Sequence, residues 1–138
     1  MADNKRKVAV YLRLAMEDNA RIESQKVQVL RYAKEQGHAN LMVYADNGES
    51  GSNMNRPAFL RMNDDIKSDL VNQVIVHSIS RIGRNVVEVM EWINDLRNEG
   101  IEVTAIDGST NFGNSSMFVS LRNDILRCIK KGGKRNGA

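Results

Sequence analysis

The chain has 138 residues, of which 41% are hydrophobic and 27% are charged, a length and composition that suit one domain with a substantial core. No apolar run approaches the roughly 18 residues that a membrane-spanning helix needs, and Arg13 interrupts the apolar stretch nearest the amino terminus, which argues against a signal peptide. The single cysteine excludes an internal disulfide and has no zinc-ligand spacing with the two histidines. We therefore expect a cytoplasmic protein that uses no metal.

The net charge of +3 is unevenly distributed along the chain. Residues 122–138 contain six lysines and arginines against one acidic residue, whereas the rest of the chain is slightly acidic. A basic end of this kind can follow the backbone of a nucleic acid, and it can equally be a solvated end without a partner. The charge alone leaves both interpretations open.

Strand and helix patterns alternate along the chain. In chain order, the predicted elements are a strand at 7–14, a helix at 23–37, a strand at 40–46, a helix from Pro57, a strand at 72–78, a helix at 85–100, a strand at 101–107 and a last helix from Ser115. Such alternation predicts an α/β fold with a mostly parallel sheet of at least four strands, helices on both faces, and the start of a longer C-terminal helix.

Apolar residues at helical spacing predict the inner face of each helix. Asn85 and Gly100 are typical of the beginning and the end of the third helix, and Gly37 is typical of the end of the first. The predicted inner-face residues are Val27, Leu30 and Ala33 in the first helix, Phe59, Met62 and Ile66 in the second, and Val86, Val89, Ile93 and Leu96 in the third.

Unusual polar residues lie near or just after the carboxyl ends of three of the predicted strands, the edge where parallel α/β sheets bind ligands. These residues are Tyr11 and Arg13, then Asp46 and Ser50, then Arg81 and Arg84. Arginine suits phosphate because its planar fork donates two parallel hydrogen bonds and keeps its charge when desolvated. Structural interpretations remain open: a surface pair for Arg81 and Arg84, a turn residue for Asp46, and a half-buried strand aromatic for Tyr11.

Several motifs together resemble the catalytic domain of serine recombinases, the resolvase/invertase family, and especially its larger members, the phage integrases and transposon recombinases. The motifs occur in the family's order over about residues 7–110. They are Tyr11-Leu12-Arg13-Leu14-Ala15, then Gln25 in the first helix, then Asp46 with Ser50-Gly51 and Arg56-Pro57-Ala58-Phe59, and finally Arg81-Ile82-Gly83-Arg84-Asn85.

The resemblance implies phosphoryl transfer on DNA without metal, ATP or another cofactor. In the family, a serine hydroxyl attacks a DNA phosphodiester, which leaves a 5′-phosphoserine and a free 3′-hydroxyl. Arginines neutralise the charge on the phosphoryl oxygens, as Mg²⁺ does in kinases. By resemblance, the phosphate would be held by Arg13, Arg81 and Arg84, with Asp46 orienting an arginine, Gln25 and Ser50 supporting the site, and Tyr11 packing beside it.

The resemblance also implies an organisation and a set of partners. Residues 1–114 would form the catalytic domain, 115–131 the start of a helix for dimerisation and DNA contact, and 132–138 a flexible basic tail. The expected partners are DNA and further copies of the chain, as dimers that pair into tetramers. We expect the protein to act on DNA in the cytoplasm of a bacterium, encoded by the bacterium or by a phage.

Ala15 departs from the family pattern, because the nucleophilic serine belongs at this position. A methyl group cannot attack phosphorus, and loss of a nucleophile can cost on the order of 10⁶ in rate. We therefore expect this chain not to cleave DNA. One alternative is a naturally disarmed relative that acts as a DNA-binding or subunit-pairing regulatory module. Another is an unrelated receiver or nucleotide-binding domain, although no acidic cluster follows the first strand.

Overall fold

The computed structural model describes residues 7–52 and 54–110, which alternate between strand and helix. The helices and strands are β1 (Lys7–Leu14), α1 (Asn19–Glu35), β2 (Leu41–Asn47), α2 (Pro57–Lys67), β3 (Val71–Val76), α3 (Val86–Asn98) and β4 (Glu102–Ala105). All strand pairs are parallel, in the order β2-β1-β3-β4. The predicted α/β fold is therefore confirmed. The predicted helix at 115–131 and the tail at 132–138 lie outside the described residues.

Both faces of the central strand β1 are covered by helices, as predicted. On one face, Val8, Val10 and Leu12 pack with residues of α1. On the other face, Ala9 and Tyr11 pack with residues of α2 and α3. Full burial of a large apolar side chain contributes about 1.5–3 kcal/mol, so the alternation of side chains along β1 stabilises both layers at once.

Helix α1 begins earlier than predicted and turns a different set of residues toward the sheet. The side chain of Asp18 caps it by accepting a hydrogen bond from the Arg21 amide at 3.0 Å. The predicted inner face is wrong at Val27, which is 47% exposed. The buried residues of α1 follow a spacing of four and begin with a polar one: they are Gln25, Val29 and Ala33.

The inner faces of α2 and α3 agree with the prediction except at one position. Phe59, Met62 and Ile66 are buried in α2, which begins at the chain's single proline, Pro57. In α3, Val86 is 47% exposed because it is the first residue of the helix. The α3 residues that are buried are Val89, Met90, Ile93 and Leu96.

The parallel arrangement brings the carboxyl ends of the strands to one edge of the sheet, which we call the carboxyl edge. Within β1 and β2, Arg13 is paired in register with Asp46, close to this edge. The loop after β2 and the short 3-10 turn Ile79–Arg81 after β3 leave the sheet at the same edge. The fold thus collects the predicted site residues in one region.

Candidate active site

Arg13 is a buried cation at the carboxyl end of β1, only 5% exposed. Its guanidinium donates from Nε to the Arg81 carbonyl at 3.0 Å, from Nη1 to the Glu49 carbonyl at 3.0 Å, and from Nη2 to the Ser80 carbonyl at 2.8 Å. Burial and the neighbouring charge of Arg56 lower the pKa of Arg13. The side chain ties the loops that follow β2 and β3 to the central strand.

Gly51, in the loop after β2, packs closely against this arginine. A Cβ atom at Gly51 would lie 2.8 Å from Arg13 Nη2 and 3.0 Å from Arg84 Cγ, so the position has no room for a side chain. The Gly51 carbonyl also accepts a hydrogen bond from the Arg84 amide at 2.8 Å. The two loops are therefore joined through their backbones as well as through Arg13.

Asp46 is a buried carboxylate that caps helix α2 from the neighbouring strand. Its Oδ1 accepts from the Ala58 amide at 2.8 Å, and its Oδ2 accepts from the Phe59 amide at 3.0 Å and from the Tyr11 hydroxyl at 2.6 Å. The N-cap residue of α2, Arg56, makes no side-chain cap of its own. Asp46 supplies this cap, and its negative charge is attracted to the positive end of the helix dipole.

Arg56 is 1% exposed and completes the network around Tyr11. Its Nη1 donates to the Tyr11 hydroxyl at 3.0 Å and to the Arg81 carbonyl at 3.1 Å, and its Nη2 donates to the Ile82 carbonyl. The guanidinium carbon lies 4.6 Å from the centre of the Phe59 ring, within the range of a cation–π contact. The result is a buried arginine held by a phenol, two carbonyls and an aromatic face.

Tyr11 links Asp46 to Arg56, and this link bears on the role predicted for Asp46. Burial and the hydrogen bond to Asp46 raise the pKa of Tyr11 well above its ordinary 10.0, so the phenol stays neutral and donates to the carboxylate. The predicted role of Asp46 in orienting an arginine stays a prediction, with Arg56 as the arginine that it reaches through Tyr11. Arg56 is not among the predicted site residues, and the motif Arg56-Pro57 is the signal in the sequence that points to it.

Gln25 lies in α1 and holds the end of β1 through the backbone of Arg13. Its Oε1 accepts from the Arg13 amide at 3.2 Å, and its Nε2 donates to the Arg13 carbonyl at 3.4 Å. The side chain is 6% exposed, so this pairing satisfies both polar ends of a buried amide. Gln25 thus lies at the site where a supporting role was predicted, and that role stays a prediction.

The arginines predicted to hold an anion line one cavity of about 400 Å³ at the carboxyl edge. Among these lining residues Arg13 is buried, Arg81 is half-buried and Arg84 is exposed. The complete lining consists of Arg13, Ile79, Ser80, Arg81, Gly83, Arg84, Val86 and Val89. The structure brings the three arginines together, and their binding role stays a prediction.

Ala15 and Ser50 are both exposed near this edge. Ala15 directly follows β1 and presents only a methyl group. The Ser50 hydroxyl donates to Ser52 Oγ at 2.9 Å and accepts from the Ser52 amide at 3.1 Å, so these two bonds shape its own loop. The supporting role predicted for Ser50 is not tested by these contacts.

Two further properties concern the described part of the chain only. Residues 7–52 and 54–110 contain no cluster of three or more histidine, cysteine or acidic side chains that is able to hold a metal ion. Over the same residues, no helix combines the length and the apolar character that crossing a membrane requires.

Comparison with known proteins places this arrangement among DNA recombinases. The family model for the resolvase N-terminal domain matches residues 8–127. A candidate DNA recombinase of Bacillus subtilis (strain 168) is 28% identical over 121 residues, which are 86% of this chain and 24% of that protein. The chain therefore spans about a quarter of the curated relative that it matches.

Solved structures show the same fold. The N-terminal catalytic domain of TP901-1 integrase has a TM-score of 0.77 and 25% identity, over 91% of this chain and 98% of that one. A resolvase family site-specific recombinase from Streptococcus pneumoniae has a TM-score of 0.73 and 24% identity, over 96% of this chain and 93% of that one.

Proposed function

This chain belongs to the family of the resolvase N-terminal domain, and we propose that it is the catalytic domain of a site-specific DNA recombinase, disarmed at Ala15. The observation that carries the proposal is the cavity of about 400 Å³ lined by Arg13, Arg81 and Arg84. Arg81 and Arg84 directly precede α3, whose positive dipole end disfavours cations unless an anion is present, and a DNA phosphodiester would supply one.

The three arginines would have different roles in the site. Three of the five N–H donors of Arg13 are used on carbonyls, so its main task is to hold the loops in place. Arg84 is exposed at the cavity and Arg81 is half-buried, which leaves them better placed to contact phosphate oxygens. Donors fixed in advance stabilise the charge of the transition state without reorganising during the reaction.

The proposed reaction is a direct exchange of one phosphoester bond for another. A serine oxygen at position 15 would lose its proton and attack the phosphorus, while the bond from phosphorus to the 3′-oxygen breaks and that oxygen takes up a proton. The products are a 5′-phosphoserine and a 3′-hydroxyl, and the reverse step rejoins DNA. Because the number of phosphoester bonds is conserved, no ATP is consumed. Ala15 has no oxygen and stops this sequence at its first step.

Restoring the hydroxyl tests the proposal. The A15S variant, both as the 138-residue chain and within the full-length gene product, is incubated with a nicked recombination site, and the covalent protein–DNA species is measured on denaturing gels. We expect an adduct with A15S and none with Ala15. Adding R84A should remove the adduct, whereas adding R61A, an exposed arginine on α2 outside the cavity, should leave it. Absence of any adduct with A15S would refute the proposal.

A second candidate function is favoured by Ala15 itself. All the other motif residues are present, so the chain resembles a recombinase domain that lacks one atom. Such a chain would pair with an active subunit or bind DNA as a regulatory module. In that case, A15S would give no adduct, while the unmodified chain would still change the recombination rate of an active relative. Under either function the partners are DNA and other recombinase subunits, and the site of action is the cytoplasm.

A further inference from the structure

The turn between β1 and α1 carries position 15 and is anchored at both of its ends. It consists of Ala15, Met16 and Glu17, whose side chains are all exposed, with Met16 at 83%. Burial therefore contributes little to holding these residues in one conformation. Their position depends on the flanking residues, Leu14 and Asp18.

The first anchor is the carbonyl of Leu14, the last residue of β1. It accepts hydrogen bonds from the amides of Gly48 and Glu49, both at 2.9 Å. Both donors are main-chain groups, so this anchor does not depend on a particular side chain. Gly48 allows the loop after β2 to approach the turn closely, because it has a φ of +94° and a Cβ atom there would lie 3.1 Å from Glu17 Cβ.

The second anchor is a side chain, that of the half-buried Asn47 at the end of β2. Its Oδ1 accepts a hydrogen bond from the Asp18 amide at 2.9 Å, and its Nδ2 donates to Asn19 Oδ1 at 2.9 Å. A main-chain amide only donates, so it determines which end of the Asn47 side chain faces Asp18. Asp18 in turn caps α1 through the Arg21 amide. The end of the turn and the beginning of α1 therefore meet β2 at one asparagine.

The segment that anchors the turn also holds the arginine cavity. The Glu49 carbonyl accepts a hydrogen bond from Arg13 Nη1 at 3.0 Å, and Arg13 lines the cavity proposed for the phosphate. Residues 47–49 thus contact both the turn that carries position 15 and the buried arginine of the site. The placement of one relative to the other depends on this short segment.

We propose that Asn47 is a positioning residue for the proposed reaction: it holds the turn that carries position 15, and so determines where a serine oxygen at that position meets the phosphorus. The proposal rests on the proposed function. Asn47 acts through the Asp18 amide and not through DNA, so it affects the rate of the chemical step and not the affinity for DNA. A displacement of about 1 Å at a reacting atom can cost on the order of 10²-fold in rate.

Adduct kinetics in the A15S background separate positioning from binding. The rate of adduct formation at saturating DNA, and the DNA concentration that gives half of this rate, are measured for A15S alone and with N47A or N98A. N47A removes the acceptor of the Asp18 amide, so we expect the rate to fall at least about tenfold and the half-saturating concentration to change less than about twofold. Asn98, which is exposed at the end of α3, is the matched control, and N98A should change neither quantity.

The N47D variant tests the hydrogen bond itself. A carboxylate oxygen still accepts from the Asp18 amide, and the exposed Asn19 side chain can turn its NH₂ group toward the other oxygen. The rate at saturating DNA should therefore return to within about threefold of A15S alone. The added negative charge acts on DNA affinity, which the half-saturating concentration reports separately.

Backbone ¹⁵N relaxation of the 138-residue chain measures the turn without any reaction. With Asn47 or with N47D, we expect order parameters at residues 15–17 near the value of about 0.85 for a rigid backbone, and with N47A below about 0.6. Val10, which is buried in β1, should keep its order parameter in all three chains, because the core does not depend on this hydrogen bond.

Three results would overturn the proposal: an adduct rate for N47A equal to that of A15S alone, a reduced rate that N47D does not restore, or equal order parameters at residues 15–17 with and without Asn47. Failure of the proposed function gives a different result. In that case A15S forms no adduct whichever residue occupies position 47, and the positioning role falls with the reaction.

Discussion

Replacing Asp46 with asparagine should destabilise the chain by about 2–4 kcal/mol. The carboxylate accepts three hydrogen bonds, two from the first turn of α2 and one from Tyr11. An asparagine keeps one acceptor oxygen, so its NH₂ group must face either Ala58 or Phe59, and one buried amide loses its partner at about 1–3 kcal/mol. The bonds that survive lose the charge of the carboxylate, which adds roughly 1 kcal/mol.

Urea unfolding at neutral pH measures this effect, with Asp65→Asn as the matched control. Asp65 also accepts a tyrosine hydroxyl, from Tyr44 at 2.5 Å, but it does not cap α2. Its asparagine can still accept that bond, so we expect a loss of about 1 kcal/mol or less. A loss below about 0.5 kcal/mol for Asp46→Asn, or equal losses for the two variants, would show that the cap is not what the carboxylate contributes.

Two other variants test the site from different directions. Gly51→Ala puts a Cβ atom 2.8 Å from Arg13 Nη2, so in the A15S background it should reduce adduct formation on the order of 10²-fold, whereas Arg61→Ala, at an exposed position of α2, should not; equal adduct yields would contradict the steric argument. The pKa of Tyr11 is raised in the folded chain, so the unfolded chain loses the phenolic proton at a lower pH. The stability that the neutral phenol contributes is therefore complete below pH 10.0 and should fall as the pH rises above it. Tyr11→Phe should make urea-derived stability fall less steeply above about pH 10, and an unchanged slope would count against this reading of the buried phenol.

The layered fold follows from sequence patterns that are local. Alternating strand and helix patterns predict a parallel sheet, and Pro57 and Asn85 mark helix starts that the structure confirms. The error at Val27 arises because helical spacing identifies a face, but not which apolar residue on it meets the sheet, whereas Val86 is exposed because it begins its helix. In α1 the inner position belongs to the polar Gln25, because the backbone of Arg13 offers it a donor and an acceptor.

The candidate site depends on partners that are distant in the chain, and these were not visible in the sequence. The carboxylate that caps α2 lies on another strand, whereas capping rules look for a side chain at the helix start, where Arg56 stands. The predicted role of Arg13 in holding a phosphate stays a prediction, and the partners that the structure shows for its guanidinium are main-chain carbonyls of two loops. Sequence predicted which residues gather at the carboxyl edge, and only the coordinates show what each one touches.

The bonds made by Arg13 have a consequence for substitutions at the carboxyl edge. All three hydrogen bonds go to main-chain carbonyl oxygens, which every amino acid possesses. They therefore do not depend on the side chains of Glu49, Ser80 and Arg81. A change of side chain at residue 49 or 80 would thus leave these hydrogen bonds, and the loop positions that they hold, in place. Substitution of those side chains can therefore alter the surface at the carboxyl edge without disturbing the scaffold beneath.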